Sequence, residues 1–158
     1  MKYKIVLLML ASVVFLPALL VGDDLADLQA AFQQAHKLAT SNDPKDTDAY
    51  VALFHPEALG FATDDPILQD MKGVSKDQFK AVREMEQKQV EFGGMNVRKP
   101  EFRVFGSTGV VTAYPQVWIK LKDGPVKATY LRMTLVFAKL SGKWEVVSWH
   151  MSYFPVGN

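Results

Sequence analysis

The sequence predicts an α+β fold in which three helices gather on one face of a curved antiparallel sheet. In the first half, apolar residues recur at steps of three and four, the period of an amphipathic helix. Beyond residue 100 they alternate with a period of two, in segments rich in Val, Thr, Phe, Tyr and Trp. The links between these late segments, "STG", "KDGP" and "SGK", are too short for the crossover that parallel neighbours require, so the segments form antiparallel hairpins.

The elements follow in order. "MKYKIVLLMLASVVFLPALLVGDD" places Lys2 and Lys4 before an apolar run over residues 5–21, then turns acidic at Asp23 and Asp24. That is the charge order of a secretory signal peptide. The rival reading is an uncleaved anchor, but the run is at the short limit for spanning hydrocarbon and Pro17 weakens its second half as a helix. Residues 1–22 are therefore expected to be a signal peptide, with Ala18 or Gly22 before the cut, and residues 23–158 one exported domain, periplasmic or secreted. In "DDLADLQAAFQQAHKLA", Leu25, Leu28, Ala31, Phe32, Ala35 and Leu38 mark the first helix. A second, shorter helix begins near Pro44, and a strand is expected over residues 58–62 before the turn Asp64-Asp65-Pro66. Ser75 is a good N-cap for a third helix that Gly93-Gly94 would end. "EFRVFG", "VVTAYPQVWIKL", "VKATYLRMTLVFAKL" and "WEVVSWHMSYF" complete a meander.

Composition excludes several functions. Losing Lys2 and Lys4 leaves 16 basic against 17 acidic residues, a formal charge of −1, so nothing draws the domain to nucleic acid or, once the signal is removed, to a membrane. Cysteine is absent, so neither a disulfide framework nor a lipidated cysteine holds the domain. His36, His55 and His150 lie far apart with no carboxylates at ligand spacing, which argues against a metal. His36 is expected on a helix surface and His55 at a helix end. "EFGGM" precedes a strand rather than opening a helix, and no Gly-x-Ser-x-Gly elbow occurs, so a cofactor-free protein is expected.

Alternation sorts the strands into faces. One face is greasy: Val111, Ala113, Val117 and Ile119, then Leu131, Met133, Leu135 and Phe137. The other is mixed, with Tyr114 and Trp118, then Arg132, then Ser148, His150 and Ser152. The expectation is that the mixed face lies beneath the helices around a cavity, because a buried polar group without a partner costs about 1–3 kcal/mol. Such a cavity would resemble a small-molecule site. The opposite face would then meet a second copy of the chain. His150 is read either as a general acid or base, or as a pocket histidine bonded to Ser148 or Ser152. Arg132 would receive a ligand carboxylate or join a structural ion pair.

The helix–strand–helix–sheet order, closed by "GKWEVVSWHMS", resembles the nuclear transport factor 2-like superfamily, especially its SnoaL-like members. The resemblance rests on Gly142, Lys143, Trp144, His150 and Ser152, on "AYVALFHPEA" and on "MKGVSKDQF". Residues 100–152 also look similar to the association domain of calcium/calmodulin-dependent kinase II. The resemblance implies a cone-shaped domain enclosing a pocket and paired as a homodimer through the outer side of its sheet. From ketosteroid isomerase-like members it further implies a catalytic Asp before a Pro, matched locally by Asp65-Pro66 at a longer spacing, with Asp64 beside it; otherwise these are turn formers. The expected function is binding of a small, partly hydrophobic molecule, anionic if Arg132 receives it. The alternatives are an isomerase, dehydratase or cyclase using His150 with an Asp, and a non-catalytic assembly module.

Overall fold

The computed structural model describes residues 17–63 and 67–154. The expected signal peptide, residues 1–22, lies largely outside them, as do Asp64 and Asp65. Helix α1 (Pro17–Ala39) runs without a break past Ala18 and Gly22 and buries Leu28, Phe32, Ala35 and Leu38 of the stripe its periodicity predicted, while Leu25 stays 38% exposed. A 3-10 turn, Pro44–Asp46, follows, capped by the Asp43 carboxylate, which accepts from the Lys45 N–H at 2.9 Å. It leads into the short α2 (Thr47–Val51). Helix α3 (Lys76–Gln89) starts at the expected Ser75. Its hydroxyl accepts from the Gln78 N–H at 3.2 Å, and the Gln78 side chain accepts from the Ser75 N–H at 2.8 Å.

The strands are β1 (Phe54–Phe61), β2 (Gln69–Asp70), β3 (Val90–Phe105), β4 (Thr108–Leu121), β5 (Val126–Leu140) and β6 (Lys143–Tyr153), forming one sheet ordered β2-β1-β6-β5-β4-β3. The late meander is as the short links require. At the β5–β6 turn, Ser141 and Gly142 both take positive φ, 48° and 81°, the backbone a two-residue hairpin loop favours. The curved sheet is mixed, however: β1 runs parallel to β6. The chain can make that parallel pair because β2, α3 and the whole meander intervene between β1 and β6.

Two further boundaries differ from expectation. Helix α3 stops at Gln89, and Gly93-Gly94 lie inside β3. The reason is contact: a Cβ on Gly94 would sit 2.4 Å from Cζ2 of Trp118, its partner on β4, so this glycine admits an indole rather than ending a helix. His55 lies within β1, where its Nδ1 accepts from the Glu57 N–H at 3.2 Å.

The greasy face is the one beneath the helices. Val111, Ala113, Met133 and Phe137 join Leu28 and Phe32 of α1 in the core. The expectation that the mixed face lies inward is corrected. Arg132 and His150 stay hydrated on the outside, which avoids the cost of burying them, while the opposite face buries apolar surface worth about 25 cal/mol per Å². Strand β6 also departs from simple alternation. Phe137 pairs with Val146, whereas Val136 pairs with Ser148, leaving Val147 as an extra residue. This β-bulge puts Trp144 and Val146 inward before it and Trp149 and Met151 inward after it.

Lys139 at the end of β5 ties down α1 through Asp24 at 2.5 Å and Asp27 at 3.0 Å. The Asp24 hydrogen bond, then that of Asp27, raises the Lys139 pKa. Its contribution is thus complete below the ordinary lysine value and lost as pH climbs through the raised one.

Candidate functional site

Between the helices and the inner sheet face is a cavity of about 490 Å³, within the usual range for small-molecule sites. Helix α1 supplies Phe32, Ala35, His36 and Ala39; the α2–β1 region supplies Tyr50, Leu53 and Phe54. The sheet contributes Met95, Val97, Met133, Leu135, Trp149 and Met151. Four of the seven methionines in the chain line it, with Met71 the fourth, so much of the wall is polarizable and adaptable in shape. Val74 and Val82 line the cavity and are still 39% and 49% exposed, which marks its mouth. Asp70 and Glu86 also line it and are exposed. Among the described residues the lining holds no lysine or arginine.

The polar groups of this cavity were not the ones expected. His36 lies one turn beyond Phe32 and three residues before Ala39, so the apolar stripe of α1 carries it inward; that spacing is the signal that could have found it. Its Nε2 donates to the Met95 carbonyl oxygen at 3.0 Å. Tyr50 packs edge-on to Phe54, with ring centroids 5.4 Å apart. The Arg83 guanidinium lies 4.7 Å from the Tyr50 ring centroid. Burial pushes the Tyr50 phenol above its ordinary value; nearby Arg83 opposes that shift and Glu86 adds to it. Arg83 also closes the end of α1, donating from Nη2 to the carbonyl oxygens of Ala39 at 2.8 Å and Ser41 at 3.4 Å. Arg83→Met is expected to strand the Ala39 carbonyl, while Ser41 keeps its bond from Gln87 Nε2 at 3.3 Å, and to lower the unfolding free energy by about 1–3 kcal/mol, measured by urea denaturation.

The residues singled out from alternation do share one surface, on the far side of the sheet. Cross-strand register sets Thr134 against His150 and Arg132 against Ser152, while Tyr114 and Trp118 extend the same face across β4. None of Tyr114, Trp118, Arg132, Ser148, His150 or Ser152 lines the cavity. His150 is exposed and meets Phe61 edge-on at 6.1 Å; Tyr114 meets Phe154 at 6.0 Å. The expectation of a His150-lined cavity is corrected by this placement, which follows from the bulge and from which face the helices cover.

Among the described residues no group of three His, Asp or Glu side chains is arranged to hold a metal ion. Nor is any described helix long and apolar enough to cross a membrane.

The model of the SnoaL-like domain family matches residues 28–157. No curated protein matches the chain in sequence. Among solved structures, the chain is similar to a nuclear transport factor 2-like superfamily protein from Salmonella enterica, at 14% identity and a TM-score of 0.67, covering 87% of this chain and 96% of that one. The CaMKII hub of S. rosetta is similar at 22% identity and a TM-score of 0.62, covering 82% and 95%. A third, from Novosphingobium aromaticivorans, is a nuclear transport factor 2-like protein with a cystatin-like fold; it is similar at 12% identity and a TM-score of 0.68, covering 89% and 88%.

Proposed function

The chain belongs to the SnoaL-like domain family, and from that premise we propose that it binds a small, largely apolar molecule in the cavity between its helices and its sheet. The observation that carries this reading is the 490 Å³ space itself, with aromatic and methionine walls and few polar groups. A carboxylate-bearing ligand is disfavoured, because Arg132 lies on the other face and the charged side chains of the lining are Asp70 and Glu86. Protein purified natively from its cells should release a small apolar molecule on denaturation, detected by mass spectrometry. An empty protein that also fails to bind apolar probes would contradict the reading. Leu135→Trp fills the space from the sheet side; it is expected to weaken binding of such a probe about tenfold or more while cooperative unfolding persists, measured by fluorescence titration and thermal melts.

A second reading, compatible with the first, is favoured by the outer face. Leu59, Phe61, Tyr114, Tyr130 and Phe154 are each more than 40% exposed there or at its edge, an apolar area unusual for a monomer. We propose that two copies pair through this face, as the association of a hub domain with the same fold would suggest. Phe61→Asp and Tyr130→Asp should convert the dimer to monomer in light scattering; a monomeric parent would contradict it. Export is likewise proposed from the leader. A mature chain starting at Asp23 retains Asp24 and Asp27, the partners of Lys139, and N-terminal sequencing of protein from the cell envelope tests the cut.

A further inference from the structure

Resting on the cavity-binding reading above, we propose that His36 and Tyr50 are its recognition pair, and that the ligand is an uncharged molecule whose apolar body carries a hydrogen-bond donor beside a carbonyl oxygen, as in a carboxamide. The tautomer of His36 is set by its partner. The Met95 carbonyl can only accept, so the proton of the neutral ring is on Nε2 and the lone pair is on Nδ1. Among the described residues nothing donates to that Nδ1, and it is not sealed in the packing. Tyr50 is complementary. Its hydroxyl has no hydrogen-bond partner among the described residues and is not sealed either. A phenol is protonated at neutral pH, and burial pushes this one further from ionising, so it is a donor.

Arg83 brings the two to one end of the cavity. It donates to the Ala39 carbonyl, three residues beyond His36 and so about 4.5 Å further along α1, while its guanidinium covers the Tyr50 ring. One acceptor and one donor therefore open into a space walled mainly by apolar side chains, whose charged lining residues are Asp70 and Glu86. An amide edge satisfies both, its N–H meeting Nδ1 of His36 and its C=O meeting the Tyr50 hydroxyl. A carboxylate offers no donor to Nδ1 and meets Asp70 and Glu86 among the lining residues.

Three probes with one body separate the contributions: 2-methylnaphthalene, naphthalene-2-carboxamide and 2-naphthoate, titrated against tryptophan fluorescence. The expected result is that the carboxamide binds about tenfold more tightly than the hydrocarbon, and the naphthoate more weakly than the carboxamide. Tyr50→Phe, which removes one oxygen and keeps the ring, and His36→Leu should each narrow the gap between carboxamide and hydrocarbon. If His36→Leu does not fold, Tyr50→Phe decides alone. No binding of the hydrocarbon would contradict the cavity reading itself. A bound hydrocarbon with no carboxamide advantage, or an advantage unaffected by Tyr50→Phe, would overturn the recognition pair and leave the cavity reading standing. Naphthoate binding as tightly as the carboxamide would overturn the uncharged class.

Discussion

Deleting Val147 is expected to abolish the cooperative fold. The residue is the extra one in the β6 bulge, and it allows Trp144 and Val146 on one side, and Trp149 and Met151 on the other, to reach the same face of the sheet. Without it, strict alternation sends one of these pairs to the outer face. Each large apolar side chain removed from the interior costs about 1.5–3 kcal/mol. Losing a pair therefore removes about 3–6 kcal/mol, against a typical total of about 5–15 kcal/mol. Val147→Ala keeps the residue count and should cost about 1 kcal/mol. Thermal melts by near-ultraviolet circular dichroism compare them: a sharp transition in the deletion variant, close to that of the parent, would show that the bulge is dispensable.

The second large effect is expected at Gly60. A Cβ there would sit 2.2 Å from the Trp149 carbonyl oxygen and 2.4 Å from its indole Cδ2. Gly60 and Trp149 are partners in the parallel β1–β6 pair, so the obstruction is backbone, and relief requires the strands to part. The ring has little freedom to help, because Phe54 lies edge-on to it at 5.6 Å. Gly60→Ala should cost about 3 kcal/mol in urea denaturation, at the upper end of overpacking effects. Gly94→Ala is the internal comparison. Its clash is with the outer end of Trp118, a half-buried side chain on the outer face, so about 1 kcal/mol or less is expected. Equal costs at the two glycines would contradict the distinction between an immovable carbonyl and a ring that can swing away.

Much of the architecture was legible because local physics determined it. Ser75 announces α3 through capping chemistry that needs no tertiary partner. The periods of α1, β4 and β5 survive in the folded chain because each element buries one uninterrupted face. What failed depended on contacts distant in sequence. Nothing in "KWEVVSWHMSYF" marks Val147 as a bulge, since the extra residue exists only relative to β5. Gly93-Gly94 reads equally well as a helix stop or as room for an indole, and only Trp118 decides. Tyr114, Trp118, Arg132, Ser148, His150 and Ser152 do share a surface, but on the side of the sheet away from the helices, and Trp144 and Val146, which simple alternation groups with His150, turn inward before the bulge. The polar groups on that surface appeared to demand a cavity, whereas solvent on the outer face satisfies them more cheaply than burial would. A histidine beside an apolar stripe reads as a surface residue, and only the register of α1 against β3, which brings the Met95 carbonyl to His36, places it in the cavity.

The most direct test of the working face uses protein labelled with ¹³C on its methionine methyl groups and titrated with 2-methylnaphthalene. Ring-current shifts are expected at Met71, Met95, Met133 and Met151, which line the cavity, with little change at exposed Met85 on α3. If those four signals hold still while the imidazole of His150 shifts, the ligand is on the outer face and the inner cavity is not the binding site.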